Sequence, residues 1–244
     1  MGAWKRLITS NDFTDTQIQD LQDLVFTSPT VSLTKNKPSF EKGVSTTIDF
    51  YYSTYAGDDT WESANIIYTN GNIAEENVST SGTHTATGLL SSVQRKYRAV
   101  FDIEGTKTSS TATSTAITPQ YVGISTDETF DDSTYSNIGG KLTKFLSTQN
   151  YINSTNVGGT DLANSTIGFT AENHYIYFIS KNSGLTVYDQ TNLPQSMVTE
   201  FLETTISVKL ADGTDQTMYQ YRSAETKDFS TETGGQIGYK LESA

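Results

Sequence analysis

Between His174 and Arg222 the chain repeats one pattern, and that pattern restricts the fold more than any other stretch does. Tyr175-Ile176-Tyr177-Phe178-Ile179-Ser180 is an aromatic-rich run of strand-forming residues. Gly184-Leu185-Thr186-Val187-Tyr188, Val198-Thr199-Glu200-Phe201 and Thr205-Ile206-Ser207-Val208-Lys209-Leu210 follow it, and Asp212-Gly213 precedes Tyr219-Gln220-Tyr221-Arg222. Short β-branched and aromatic runs bounded by Gly, Asp and Asn read as strands joined by turns. The pattern predicts one module's core sheet and carries no reaction chemistry.

The rest of the chain repeats this at lower density. Pro29–Thr34, Thr47–Tyr52, Ala64–Tyr68, Thr85–Leu90, Lys96–Ile103 and Thr108–Thr118 are expected strands. Asn70-Gly71 closes one hairpin, because both residues tolerate the positive φ of a tight turn. Turns about every ten residues predict an immunoglobulin- or fibronectin-like β-sandwich over 27–118, with Tyr97 expected in a tyrosine corner. Pro119 biases Thr118 to an extended conformation and marks a boundary. Residues 119–244 are expected to form a second β-sandwich, with strands at Tyr121–Ile124, Lys141–Leu146, Ile167–Phe169 and Gln236–Leu241. Polar loops are expected at 125–140 and 150–165. The fold class is therefore all-β: two tandem sandwich modules preceded by a short arm, 1–26. In that arm Asp15 or Thr16 is expected to cap a helix whose apolar face is Ile18, Leu21, Leu24 and Val25. The arm either docks on its own module or joins a neighbouring subunit through Trp4.

Composition removes several function classes. The net charge is −12, which repels phosphates and anionic lipid, so neither nucleic acid nor membrane is an expected partner. There are no cysteines, so disulfides, thiolate metal sites and thiol nucleophiles are excluded, and assembly in a reducing cytoplasm is favoured. No apolar run approaches the ~18 residues of a membrane span, and the first residues lack the apolar core of a signal peptide. The sequons at Asn77, Asn153 and Asn164 are expected to stay unmodified.

Candidate chemistry is sparse. His84, read as lying in a Ser/Thr/Gly loop, and His174 are too far apart in sequence to imply a metal site. The acidic pairs Asp58-Asp59, Glu75-Glu76, Asp127-Glu128, Asp131-Asp132 and Asp212/Asp215 read as solvated turns. The Asp127–Asp132 group is the best calcium candidate among them, yet it lacks the spaced carboxylates of a calcium loop. A glycosidase needs two carboxyls facing across a groove, which no spacing here specifies. No Gly-x-Ser-x-Gly elbow or phosphate-cradling glycine loop occurs. No catalytic, cofactor-binding or metal-binding residue is assigned, no cofactor is expected, and the chain is expected not to be an enzyme.

The order Tyr-x-Tyr-Phe (175–178), Gly-Leu-Thr (184–186), Phe201, Thr-Ile-Ser-Val (205–208), Asp-Gly (212–213), Tyr-x-Tyr (219–221) and a closing strand resembles the C-terminal module of structural proteins in tailed-phage virions. Ser28–Val31 is similar to the start of their upstream sandwich. Trp4–Ser10 is similar to the N-termini of tail-fibre and adaptor proteins in marine and cyanobacterial phages. The resemblance implies a non-enzymatic component of a tail, neck or fibre-attachment region, assembled in the bacterial host cytoplasm into a homo-oligomer with other virion proteins. The alternative is a receptor- or carbohydrate-binding module of a tail fibre, with a host surface glycan as partner. Its candidates are the aromatic residues Trp61, Tyr51, Tyr52, Tyr55, Tyr188, Tyr219 and Tyr221. An exposed aromatic row favours sugar, and apolar patches favour subunit contacts.

Overall fold

The computed structural model describes residues 14, 16–17, 27–128, 130, 138, 141–157, 166–170, 172–189, 200–228 and 237–243. The chain is all-β, with 59% strand and 4% helix. It divides into two compact units, 1–39 with 46–115, and 40–45 with 116–244.

The first unit contains β1 (Thr30–Lys35), β3 (Thr46–Tyr55), β4 (Trp61–Ile67), β5 (Ile73–Glu75), β6 (Ser81–Leu89), β7 (Val93–Phe101) and β8 (Gly105–Thr108). The chain passes between the units at β2 (Ser39–Glu41) and β9 (Ala112–Ile117). One sheet has the order β1-β3-β6. In the other, β9, β7, β4 and β5 are successive neighbours and β8 also pairs with β7. Each strand turns alternate residues inward, as period-two geometry requires. Ile48, Phe50 and Tyr52 from β3, Ala64 and Ile66 from β4 and Tyr97, Ala99 and Phe101 from β7 are therefore buried. Tyr97 ties the two sheets together. Its ring stacks on Tyr52 at 5.0 Å, and its hydroxyl bonds Thr54 Oγ1 at 2.6 Å and the Ser79 carbonyl at 3.2 Å. The expected tyrosine corner is not what forms: Tyr97 lies mid-strand and reaches across the core instead of back onto its own loop.

Other local expectations are revised. His84 is not in a loop but inside β6, buried opposite Phe50. The strand expected over 108–118 forms as β9, and a short strand that was not expected, β8, precedes it, turned back on β7 at Gly105, where φ is 68°. The hairpin at Asn70-Gly71 forms as expected, with Gly71 at φ 90°. In the arm, Thr16 and Gln17 are helical, and the cap is Thr14. Thr14 Oγ1 accepts from Gln17 N at 3.3 Å, and Thr14 N donates to Gln17 Oε1 at 3.1 Å. That reciprocal pair is a capping box, and a Thr three residues before a Gln is its signature. Ile18, Leu21, Leu24, Val25 and Trp4 lie outside the described residues.

The second unit contains β10 (Gln120–Ser125), β11 (Thr143–Phe145), α1 (Ser154–Val157), β12 (Ile167–Phe169), β13 (Tyr175–Ser180), β14 (Leu185–Asp189), β15 (Phe201–Lys209), β16 (Asp215–Ser223) and β17 (Ile237–Ser243). A five-stranded sheet runs β11-β10-β13-β16-β15, and a three-stranded sheet runs β12-β17-β14. The 174–222 stretch therefore does not form one sheet. β13, β15 and β16 share the larger sheet, while β14 joins the smaller one after a turn with Gly184 at φ 66°.

Between the sheets, Val122, Ile176, Phe178, Phe201 and Tyr221 pack with Phe169, Val187, Tyr239 and Leu241. The opposite face of the larger sheet is also covered. There Tyr121, Tyr177, Ile179, Val208 and Met218 pack with Ile138 and Leu142, so the polar stretch after β10 hides apolar contacts. β13 is thus buried on both sides, and Ile176, Tyr177, Phe178 and Ile179 are all 0% exposed. A strand buried on both faces needs a continuous apolar run, and this one has it.

Candidate functional site

The covering of the larger sheet stops short of its edge. Among the described residues β15 is the outermost strand, nine residues long. Register places Leu202 opposite Arg222, Thr204 opposite Gln220 and Ile206 opposite Met218. Phe201 and Leu202 are consecutive, so they point to opposite faces: Phe201 enters the core, while Leu202 stays 44% exposed on the outer face. A cleft of about 340 Å³ forms over this edge, lined by Glu128, Phe130, Leu202, Thr204, Ile206, Gln220 and Arg222.

Its polar wall is ordered. Arg222 Nη1 donates to the Glu128 carbonyl at 2.6 Å and lies 3.5 Å from Glu128 Oε1, and its guanidinium sits 4.7 Å from the Tyr175 ring centre. Gln220 is buried, and its Nε2 donates to Thr204 Oγ1 at 3.3 Å while Oε1 has no partner among the described residues. Tyr177 donates to the Asp127 carbonyl nearby. Burial pushes the Tyr177 phenol up to about 12, against the pull of Arg222, so it stays neutral and is no general base. The cleft offers an apolar floor, one unpaired acceptor and a cation already held by Glu128.

The acidic pairs are mostly occupied by the chain itself. Asp127 pairs with Lys141 and Glu128 with Arg222, while Asp131 and Asp132 lie outside the described residues. Asp59 is buried, contrary to the expectation of a solvated turn. It accepts from Thr60 N at 2.7 Å, Ile103 N at 3.0 Å and Glu104 N at 2.8 Å, and so closes the turn after β7. Asp58 Oδ2 takes Thr27 N at 2.8 Å, and Asp215 pairs with Lys209 at 2.7 Å. Among the described residues no group of three or more His, Asp or Glu is placed to hold a metal ion. No helix among them is long and apolar enough to cross a membrane.

The two histidines lie in different units. His174 Nδ1 contacts the Glu172 carbonyl at 2.5 Å. His84 Nδ1 contacts Glu75 Oε2 at 2.6 Å, and its Nε2 faces Arg95 Nε at 3.4 Å. An arginine only donates, so Nε2 is the acceptor and Nδ1 carries the proton toward Glu75. Arg95 lies 4.3 Å over the Tyr68 ring, and burial lowers its pKa from the ordinary value. This Glu–His–Arg row fastens β6 to β5 and β7. Sequence reasoning missed it because three separate strands supply its members.

The aromatic candidates separate clearly. Tyr52 and Tyr221 are buried, and Trp61, Tyr188 and Tyr219 are half-buried. Tyr51 and Tyr55 are exposed. Asn153 is buried and accepts from Asn156 N at 3.2 Å, an arrangement that closes it to a glycan.

No protein-family model matches this chain, and no curated protein matches it.

Proposed function

We propose that this chain is a non-enzymatic structural component of a tailed-phage virion, in the tail, neck or fibre-attachment region, working through subunit–subunit contacts with itself and with other virion proteins. Each unit is then a β-sandwich of the immunoglobulin or fibronectin kind. Strand neighbours 1-3-6 and 9-7-4-5 in the first unit support that reading, since they follow the two-sheet order of such modules. The observation that carries the functional reading is the cleft over β15. It couples exposed Leu202 and half-buried Ile206 to Gln220 Oε1, an acceptor with no partner among the described residues. An apolar centre rimmed by hydrogen-bonding groups is the composition of a protein interface. The resemblance over 175–221 to virion proteins points the same way.

Two measurements test it. Light scattering on the purified full-length chain is expected to show an oligomer that Leu202→Asp returns to monomer with unchanged circular dichroism. Mass spectrometry of particles from the producing phage is expected to find the chain. A monomeric wild type that is also missing from particles overturns the reading.

A further inference from the structure

The first unit carries a surface of a different chemistry. On β3 the inward residues are Ile48, Phe50 and Tyr52, so Tyr51, Ser53 and Tyr55 stand on the outer face of the β1-β3-β6 sheet. Register sets Tyr51 between Thr34 and Thr83, and Tyr55 beside Thr30. Between the two rings runs a row of three serines, Ser32, Ser53 and Ser81, with the first two hydroxyls 2.7 Å apart. Tyr51 is 45% exposed and Tyr55 59%, and the third exposed tyrosine of the described residues, Tyr68, is already held under Arg95. Four residues along a strand separate the two rings by about 13 Å, on one face.

At its outward strand positions this face has no aliphatic side chain, lysine or arginine, and the nearby Lys37 Nζ is taken up by the Thr47 carbonyl at 3.4 Å. Its one charge, Asp49, is taken up by Asn36 at 3.0 Å and Thr85 at 2.8 Å. A protein interface needs an apolar centre, which is lacking here. An anionic ligand needs a cation, and the net charge of −12 opposes one further. What remains complementary is an uncharged, polyhydroxylated ligand with flat C–H faces. Such faces stack on tyrosine rings, and sugar hydroxyls pair with Ser and Thr, each of which both donates and accepts.

We propose that the outer face of the β1-β3-β6 sheet binds a neutral glycan chain laid along β3, with one pyranose on Tyr51, another on Tyr55 and the serine row beneath the span between them. The site is separate from the cleft over β15 and does not rest on the virion reading. A fibre-borne and a free-standing protein would bind through it alike.

The test uses the full-length chain and a panel of neutral hexasaccharides (malto-, cello-, chito- and manno-oligomers), with alginate oligomers as the anionic comparison. Calorimetry and affinity electrophoresis give the readout. At least one neutral oligomer is expected to bind, and alginate is not. Tyr51→Ala and Tyr55→Ala are each expected to lower affinity about tenfold, the scale of one lost ring stack. The double variant abolishes binding, and Tyr68→Ala leaves it unchanged. Both rings are exposed, so far-ultraviolet circular dichroism should be identical for all variants. Three results overturn the proposal: no neutral oligomer bound at millimolar concentration, binding that survives the double variant, or alginate bound as tightly as the neutral chains. Loss of self-association in Tyr51→Ala without any sugar binding assigns the face to a second copy instead and overturns it equally. Because the cleft variant Leu202→Asp is untouched by these measurements, failure here leaves the assembly reading standing, and the reverse holds.

Discussion

The double burial of β13 makes a quantitative prediction that distinguishes a two-faced core from an ordinary half-exposed sheet. Ile176 faces the three-stranded sheet, and Ile179 faces Tyr121, Ile138, Leu142 and Met218 on the other side. Both are 0% exposed. Replacing either by alanine removes three carbons. At about 0.8 kcal/mol for each buried methylene, the transfer loss is about 2.4 kcal/mol. The cavity left behind adds to this, within the roughly 2–5 kcal/mol span of buried isoleucine-to-alanine changes. Both variants should therefore lose about 3–4 kcal/mol. Half-buried Ile206, on the same outer face over the cleft, should lose about 1 kcal/mol on replacement because water already reaches it. Urea unfolding by circular dichroism, with hydrogen exchange on peptides covering 175–223, measures the three losses. In thermal melts the larger loss is a fall on the order of 10 °C for a unit of this size. If Ile179→Ala stays within about 1 kcal/mol of wild type while Ile176→Ala pays the full cost, the outer face is not a second core and the reasoning fails.

Gly57→Ala should destabilise the first unit by about 2–4 kcal/mol, through left-handed strain and lost backbone bonds. Gly57 has φ 61°, and an added Cβ would stand 1.9 Å from the Thr27 carbonyl oxygen, which accepts from Asp58 N at 3.0 Å. Trp61 fluorescence during urea titration reads this loss. Asp59→Ala leaves the amides of Thr60, Ile103 and Glu104 without their carboxylate and should cost about 2–4 kcal/mol, visible as faster hydrogen exchange across 101–105. Tyr177 and Tyr221 are both raised to about 12 by burial, so the folded state favours their neutral forms. Their contribution is complete below the unfolded value of about 10 and is lost as pH rises from 10 through 12. Ultraviolet titration should show Tyr177 and Tyr221, together with Tyr97, which burial also raises, ionising later than the exposed tyrosines, and ionisation of all 14 near the ordinary value would contradict the burial.

What the sequence made legible was mainly local. Asn70-Gly71 and Asp212-Gly213 announce turns because glycine at φ 90° and 82° is what those hairpins require. Thr47–Tyr52, Ile167–Phe169 and Tyr175–Ser180 read as strands and are strands. Partner choice was not legible. Nothing in Leu185–Asp189 states that it pairs with β17 instead of β13, because both pairings satisfy the same alternation. Burial from distant donors was equally hidden. Asp59 looks like any turn aspartate until Ile103 and Glu104, more than 40 residues later, supply the amides. The cleft was half visible, since Phe201-Leu202 had to send one apolar residue outward. Arg222 and Gln220 were masked by tyrosines that drew attention to the other face of β16. The row Glu75, His84 and Arg95 left no signal, because its members are ordinary strand residues until three strands converge.

Residues 40–45 belong to the unit that is otherwise made of 116–244, and this governs when the protein can finish folding during synthesis. Glu41 takes Lys144 Nζ at 2.8 Å, and Lys42 Nζ reaches Gln216 Oε1 at 2.9 Å, 174 residues downstream. At roughly 5–20 residues per second of translation, the loop at Lys42 waits about 9–35 s for that partner to be made. No single scission yields both units whole: a fragment ending near 115 carries a loop that belongs elsewhere, and one beginning at 116 lacks it. Separate expression of the second unit therefore calls for residues 40–45 to be grafted on, and protease nicking between 39 and 46 should loosen it although the cut lies far upstream in sequence.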